Sequence, residues 1–216
     1  MSKSLVDEIL DAKIIAIVRG AEPAKCKAVV KALEAGGIRF VEITYNQSKP
    51  ESWEETASTI GELAKEFAGR VHIGAGTVTN VKLVEMTAAN HGEYIISPDT
   101  NVDVIKRTKE LGMVSMPGAL TPTEVMTAHN AGADFVKLFP AGNLGPAYVK
   151  ALCAPLNHIR FMAVGGINEK NLADFIAAGC KGAGIGGNLA KKAWIDAGEF
   201  DKLTEAAKEM IAALPQ

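Results

Sequence analysis

Two charged side chains stand inside strongly apolar segments of this chain. Lys137 lies in the run GADFVKLFP, and Glu42 lies in the run FVEIT. Because burying an unpaired ammonium or carboxylate is costly, such groups are usually paired or used. A lysine in apolar surroundings has a lowered pKa, and its free amine can attack a carbonyl to form a Schiff base. Pairing with a carboxylate, or reaching the solvent at the strand end, would instead give Lys137 a purely structural role.

The alternation of side chains along a strand relates these two residues to each other. Glu42 shares a face with Phe40 and Thr44, and Lys137 shares a face with Phe139. If both faces point into one interior, the carboxylate and the amine can meet there. A carboxylate beside an amine in a dry cavity can move the protons of a Schiff-base reaction, although a buried structural ion pair remains the alternative.

The elements that must position these groups alternate along the whole chain. Apolar, strand-like runs are predicted at 14–18, 40–44, 71–74, 94–96, 113–116, around Lys137, at 161–164 and at 182–185. Helices are predicted from Pro23 to the Gly36-Gly37 pair, at 52–67, 81–89 and 102–111, from Thr121 onward, and at 171–178. Eight strand–helix units favour an α/β fold, a (β/α)8 TIM barrel in one domain spanning residues 1–216. A doubly wound sheet is the alternative, but the early Gly-x-Gly-x-x-Gly turn typical of it is absent.

In a parallel barrel, functional groups gather where the strands end. Two glycine pairs, Gly165-Gly166 and Gly186-Gly187, follow the seventh and eighth predicted strands, each directly before a predicted helix start at 168–170 or 188–190. Such glycines let backbone N–H groups approach an anion, so they predict a phosphate site, although glycine is also common in tight loops. The polar residues at the predicted strand ends are Arg19, Glu42, Thr44, Asn46, Thr77, Ser97, Lys137 and Asn188.

Two of these polar residues are candidates for holding a carboxylate. Arg19 ends the first strand and could clamp a carboxylate through its guanidinium, or form a surface ion pair. Thr77 ends the third run and could offer its hydroxyl and its backbone N–H to the same group, or lie beside a helix N-cap.

The composition excludes several classes of function. A net charge of −2 gives no reason to expect binding to nucleic acid or to an acidic membrane surface. Neither the three cysteines nor the four histidines have metal-ligand spacing, so no metal or other cofactor is expected. The polar N-terminus lacks the features of a signal peptide and no apolar run reaches membrane-spanning length, so a cytoplasmic protein is expected.

Five segments, in order and over nearly the whole chain, carry a family resemblance. The segments GGIRFVEIT, GAGTV, ISP, MPG and FVKLFPA, beginning at positions 36, 74, 96, 116 and 135, resemble the KDPG/KHG aldolase family. The resemblance implies a (β/α)8 barrel, usually a homotrimer, and class I aldolase chemistry without metal. It also implies that Lys137 forms a Schiff base with pyruvate or a 2-keto acid while Glu42 moves protons through a water.

The same resemblance implies roles for the surrounding residues. Thr77 and Pro98 would line the pyruvate end, and Phe139 would pack beside the imine. The phosphate-binding loops of the family are matched by Gly165, Gly166, Gly187 and the position of Asn188.

Three positions depart from the phosphogluconate-cleaving branch of the family. That branch has an arginine where this chain has Asn46, usually a threonine where it has Val164, and a serine near Asn188. The phosphogalactonate branch resembles this chain in its asparagine at position 46. We hypothesise that Arg19, on the neighbouring strand, takes over the task of the missing arginine.

These observations predict a class I aldolase for a small-molecule substrate. It would cleave a 2-keto-3-deoxy-6-phospho sugar acid to pyruvate and glyceraldehyde 3-phosphate. A 4-hydroxy-2-oxoglutarate aldolase using the same lysine, or an unphosphorylated substrate, is the nearest alternative. A phosphosugar epimerase or isomerase, or a phosphate-ligand binding protein without activity, would use the same barrel but would need no lysine nucleophile.

Overall fold

A computed structural model describes residues 3–215 as a barrel of parallel strands surrounded by helices. The elements in chain order are α1 (Leu5–Ala12), β1 (Ile14–Val18), α2 (Pro23–Ala35), β2 (Phe40–Thr44), a 3-10 turn (Pro50–Ser52), α3 (Trp53–Glu66), β3 (His72–Gly76), α4 (Val81–Ala89), β4 (Tyr94–Ile96), α5 (Val102–Glu110), β5 (Val114–Met116), β6 (Gly118–Ala119), α6 (Pro122–Asn130), β7 (Val136–Leu138), α7 (Ala141–Cys153), β8 (Phe161–Val164), α8 (Leu172–Ala177), β9 (Gly182–Ile185), α9 (Lys192–Ala197) and α10 (Phe200–Ala212). The predicted (β/α)8 barrel is confirmed.

The strand count differs from the prediction at one place. All pairings are parallel, in the order β5-β4-β3-β2-β1-β9-β8-β7-β6. The fifth predicted strand, at 113–116, is β5, which pairs with β4, and after Pro117 a further short strand, β6, pairs with β7. Proline has no N–H for a ladder, but the Pro117 carbonyl still accepts the backbone N–H of Lys137 at 2.9 Å. The chain therefore changes its pairing partner at this proline, next to the strand that carries Lys137.

The helix signals read from the sequence correspond to real caps. Thr121 caps α6, whose Glu124 N–H donates to the Thr121 hydroxyl at 3.3 Å. In return the Glu124 carboxylate accepts the Thr121 backbone N–H at 2.8 Å, which completes a capping box. Pro122 follows at the first helical position, where its missing N–H has no cost. Helices α1, α7 and α10 had no counterpart in the sequence prediction.

The interior of the barrel is apolar and closed at the end where the strands begin. Ile9 of α1 is 1% exposed and packs in a cluster with Ile15, Phe40 and Phe135. A second, larger cluster fills the space between the strands and the outer helices. Because α1 covers the N-terminal end, the interior is accessible to a small molecule from the opposite, C-terminal mouth.

The described part of the chain contains neither a membrane-spanning helix nor a group of metal-ligand side chains. No helix within residues 3–215 is long and apolar enough to cross a membrane. Over the same range, no three His, Cys, Asp or Glu side chains are grouped as a metal site would require.

Candidate active site

Lys137 and Glu42 both lie inside the barrel, on β7 and β2. Lys137 is 5% exposed and Glu42 is 1% exposed. No ion pair with an N···O distance of 4.0 Å or less joins them, and neither carboxylate oxygen of Glu42 has a hydrogen-bond partner among the described residues. The direct ion pair of the structural alternative is therefore not formed in this structure.

Burial moves the pKa values of both groups towards their neutral forms. Desolvation lowers the pKa of Lys137, the Glu42 carboxylate opposes this change, and the Arg19 guanidinium adds to it. Desolvation raises the pKa of Glu42, against the opposing attraction of Lys137 and Arg19. An amine with a lowered pKa can act as a nucleophile, and a carboxyl with a raised pKa can hold and return a proton near neutral pH.

Glycines in β3 provide the space that the Glu42 carboxylate occupies. A Cβ atom on Gly76 would lie 1.5 Å from Oε1 of Glu42, and one on Gly74 would lie 2.3 Å from the Tyr94 ring. A side chain at either position would displace Glu42 or Tyr94 from its present place. Gly76 therefore makes room for the Glu42 carboxylate, and Gly74 makes room for the ring of Tyr94.

Phe139 forms the wall between Lys137 and the glycine loop after β8. Its ring centroid lies 5.1 Å from the Lys137 Nζ atom. Its side chain is also among the exposed large apolar groups. On the other side, a Cβ atom on Gly165 would approach the Phe139 ring to 3.2 Å. The ring covers one side of the amine and limits the access of water to it, although its face attracts the ammonium form.

Arg19 and Thr77 meet at the mouth from β1 and β3. An Nη2 hydrogen of Arg19 donates to the Thr77 hydroxyl at 3.2 Å. Among residues 3–215, no carboxylate pairs with Arg19, so the predicted alternative of a surface ion pair is not observed. Thr77 has a φ of +57°, a left-handed conformation that is rare for a β-branched residue and that occurs preferentially at functional sites.

The glycine loops after β8 and β9 differ from the prediction in one respect. Gly165 and Gly166 have φ values of +89° and +76°, which glycine adopts without strain. The helix predicted at 171–178 is confirmed as α8 (Leu172–Ala177), whereas the helix starts predicted directly after the glycine pairs, at 168–170 and 188–190, are wrong because α9 also begins later, at Lys192. Side-chain and backbone bonds within each loop hold turns there, so the helix N-termini lie further from the mouth than the sequence indicated.

Asn188 joins the two loops to each other. Its amide Nδ2 donates to the carbonyl of Ile167 at 2.8 Å. The backbone N–H groups of Leu189 and Ala190 turn back to the Gly186 carbonyl, each at 2.8 Å. The side chain of Asn188 therefore fixes the spacing of the loops, and one of its donors is already used.

One cavity of about 440 Å³ brings most of the predicted site residues together. Glu42 lies buried beneath it. Asn46 does not line it but lines a neighbouring cavity of about 470 Å³, which shares Arg19 and Thr77 with the first, and its Oδ1 accepts the Ser48 N–H at 3.0 Å. The predicted residues that line the first cavity are Arg19, Thr77, Pro98, Lys137, Phe139, Gly165, Gly166, Gly187 and Asn188.

Several lining residues were missed by the sequence analysis. Ile17 and Gly184 line the same cavity, and Ile17 could have been found because it shares the inward face of β1 with Arg19. Gln47 was missed too, and its side chain contacts Thr77 from outside the cavity. No periodicity signal identifies a loop residue of this kind.

The fold and the site together define the class of protein. A buried lysine of lowered pKa, a buried acid and an anion-sized mouth at the C-terminal end of a (β/α)8 barrel are the parts of a Schiff-base enzyme. The family model described as KDPG and KHG aldolase matches residues 6–206, and the chain belongs to this family of lyases. The predicted family is confirmed.

Individual relatives agree with this assignment. The chain is 40% identical over 177 residues, 82% of this chain and 83% of the relative, to the 2-dehydro-3-deoxy-6-phosphogalactonate aldolase of Escherichia coli (strain K12). It is 33% identical over 186 residues, 85% of this chain and 84% of the relative, to the 2-dehydro-3-deoxy-phosphogluconate aldolase of Dickeya dadantii (strain 3937). A solved structure described as native KDPGal superposes with a TM-score of 0.84 at 35% identity, covering 93% of each chain.

Proposed function

We propose that this chain is a class I aldolase that cleaves a 2-keto-3-deoxy-6-phospho sugar acid to pyruvate and glyceraldehyde 3-phosphate. The observation that carries the proposal is Lys137, a buried amine of lowered pKa at the base of a cavity whose rim carries two glycine loops. An epimerase or isomerase would have no use for such an amine. The relatives named above support the same substrate class.

The reaction follows from the positions of Lys137 and Glu42. The neutral amine adds to the C2 carbonyl, and loss of water from the carbinolamine gives the iminium. As the C4 hydroxyl loses its proton, the C3–C4 bond breaks and its electron pair moves into the iminium, which becomes an enamine. The aldehyde leaves, the enamine is protonated at C3, and water releases pyruvate and the free amine. Glu42 supplies and removes these protons, directly or through a water.

The two ends of the cavity bind the two charged ends of the substrate. Arg19 and the Thr77 hydroxyl face the carboxylate, and Pro98 and Phe139 enclose the carbons beside the imine. The phosphate lies against the backbone N–H groups of the loops at Gly165, Gly166 and Gly187. Asn46 would contact the substrate from the neighbouring cavity, which Arg19 and Thr77 also line.

The comparison of relatives favours the phosphogalactonate-type substrate. The chain is 40% identical to the phosphogalactonate aldolase and 33% identical to the phosphogluconate aldolase. Asn46 also resembles the asparagine of the phosphogalactonate branch. The 4-hydroxy-2-oxoglutarate reaction at the same lysine is the second candidate. We further propose one catalytic domain over residues 1–216 and a cytoplasmic location, as the length and composition predict, and assembly into a homotrimer, as the family resemblance implies.

Trapping of the imine tests the proposal. The protein is incubated with pyruvate, reduced with borohydride and weighed by mass spectrometry, and peptide mapping then locates the adduct. We expect one reduced pyruvate per chain, at Lys137, and none in Lys137→Met. No adduct on correctly folded protein would refute the proposal. A parallel assay of the gluconate-derived and galactonate-derived phosphates, and of 4-hydroxy-2-oxoglutarate, then ranks the substrates.

A further inference from the structure

The side chain of Gln47 bridges two residues of the loop that follows β3. Its Nε2 donates to the Thr77 carbonyl at 2.6 Å, and its Oε1 accepts from the Thr79 hydroxyl at 3.0 Å. Gln47 itself is half-buried and lies three residues beyond the end of β2. Both ends of its amide are therefore used to hold a neighbouring backbone segment.

These bonds continue the β2–β3 pairing where the main chain can no longer do so. The ladder between these strands extends to the Tyr45 N–H, which donates to the Gly76 carbonyl at 2.9 Å. The next carbonyl, that of Thr77, receives its hydrogen bond from the Gln47 side chain. The Val78 N–H of the same peptide group donates to the Ile96 carbonyl at 3.3 Å, so Gln47 and β4 together set the orientation of the first peptide group after β3.

The peptide that Gln47 holds belongs to a residue in an unfavourable conformation. Thr77 has a φ of +57°, in the left-handed region that β-branched residues rarely occupy. Such a conformation persists only when the surrounding structure maintains it. Without the bond from Gln47, we expect Thr77 to move towards the extended region, where its φ is negative.

The orientation of Thr77 matters because its hydroxyl faces Arg19. The Thr77 hydroxyl accepts a hydrogen bond from the Arg19 guanidinium at 3.2 Å, and both residues line the cavity over Lys137. A change in the φ of Thr77 would displace this hydroxyl and leave Arg19 without its neighbour. Gln47 lines the neighbouring cavity together with Asn46; Arg19 and Thr77 border both cavities, and Gln47 does not line the one over Lys137.

We propose that Gln47 is a positioning residue for the carboxylate end of the site. It holds Thr77 in the left-handed conformation and so keeps the Thr77 hydroxyl and the Arg19 guanidinium together. It does this through Thr77, from the neighbouring cavity, and it does not itself line the cavity over Lys137. The proposal rests on the proposed function only in that the ligand held by Arg19 and Thr77 is a 2-keto acid.

The first test uses Gln47→Met, which keeps the length of the side chain and removes both polar atoms. We expect the pyruvate concentration that gives half-maximal borohydride trapping, and the KM for the phosphorylated substrate, to rise about tenfold, which corresponds to about 1.4 kcal/mol. The kcat should change less than about twofold, because weakened positioning of a group that binds equally in ground and transition states raises KM. Thr56→Val, an isosteric change in the same neighbouring cavity, should leave both constants unchanged.

A second variant separates the positioning role from a general loss of stability. Thr77→Ser keeps the hydroxyl but removes the branch that makes the left-handed conformation unfavourable. In the Thr77→Ser background, Gln47→Met should therefore raise the half-saturating pyruvate concentration by clearly less than in the wild-type background, about threefold. Equal effects in the two backgrounds would contradict the proposal.

A ligand-free measurement keeps this inference independent of the aldolase assignment. Backbone carbon chemical shifts of Thr77, measured by NMR without substrate, should indicate a positive φ in the wild type and a negative φ in Gln47→Met. An unchanged Thr77 shift in Gln47→Met would overturn the positioning role. Absence of a pyruvate adduct in the wild type would instead overturn the proposed function.

Discussion

The two ends of the barrel differ in whether their charged side chains are paired. At the closed end, His72 lies between Glu8 and Glu93, at 2.9 and 2.8 Å, and stacks on Phe40 with ring centroids 4.7 Å apart. At the open mouth, Lys137 and Glu42 are more deeply buried than His72, yet no close ion pair joins them. Charges that are paired hold α1 onto the barrel, whereas charges left unpaired in a dry interior have shifted pKa values and are available for chemistry.

Replacing the buried acid should have the largest effect at the mouth. In Glu42→Gln the side chain keeps its shape but can no longer exchange a proton, so we expect kcat to fall about 10²- to 10⁴-fold. Steady-state cleavage of the phosphorylated substrate measures this change. The thermal melting curve should show a folded protein of wild-type or higher stability, because one buried ionisable group is removed. A kcat within a few-fold of the wild type would mean that another group carries the protons.

At the closed end, a substitution should lower the stability of the fold and leave catalysis unchanged. Ile9→Ala removes a fully buried side chain from the cluster under the barrel, and we expect the free energy of unfolding to drop by about 2–5 kcal/mol. Urea denaturation measures the loss, and Ile9→Val, expected to cost about 0.5–1.5 kcal/mol, is the graded control. Well below the melting temperature, kcat/KM should remain at its wild-type value. A parallel fall in kcat/KM would show that the two ends are coupled.

A single methyl group at the rim should weaken substrate binding. In Gly165→Ala the new Cβ atom would lie 3.2 Å from the Phe139 ring, and the backbone would keep a φ of +89° that alanine rarely adopts. We expect the KM for the phosphorylated substrate to rise about tenfold, or about 1.4 kcal/mol. Pyruvate trapping at Lys137 should change much less, since pyruvate carries no phosphate. Equal losses for both ligands would place the effect at Phe139 instead of the phosphate loop.

The smallest effect concerns the pH dependence of the closed end. Hydrogen bonding to Glu93, and further interaction with Glu8, raises the pKa of His72 above its ordinary value of 6.5, although burial opposes the rise. Protonated His72 therefore stabilises the fold below about pH 6.5, and this contribution disappears as the pH rises through the higher pKa of the folded state. Because both carboxylates are partly exposed, the contribution is about 0.5 kcal/mol.

Melting curves between about pH 6 and pH 9 test this contribution. The wild type should lose stability across the interval, and His72→Gln should lose less of it. Pyruvate trapping requires the neutral amine of Lys137, so its pH dependence should be the same in both proteins. Identical melting profiles would show that the contacts of His72 with Glu8 and Glu93 make no pH-dependent contribution.

Two adjacent residues show how far sequence reasoning reached at the mouth. The sequence indicated Asn46 as a substrate-binding candidate, since the phosphogluconate branch has an arginine there, but its side chain accepts hydrogen bonds from Ser48 in the neighbouring cavity. Gln47 was not predicted as a functional residue, yet it contacts the strained Thr77. Both residues follow β2, where the alternation of side chains no longer applies, so their directions depend on contacts with the loop after β3.

The amino-acid sequence by itself determined the alternation of strands and helices, and with it the inward direction of Lys137 and Glu42. Those features depend on residues close together in the chain, through the two-residue period of a strand and the capping preferences of helices. Tertiary structure alone decided the separate strand β6 after Pro117, the late start of α9, and the conformation of Thr77. These depend on barrel closure and on side chains from distant segments, which compete with local preferences and prevail because they satisfy buried polar groups.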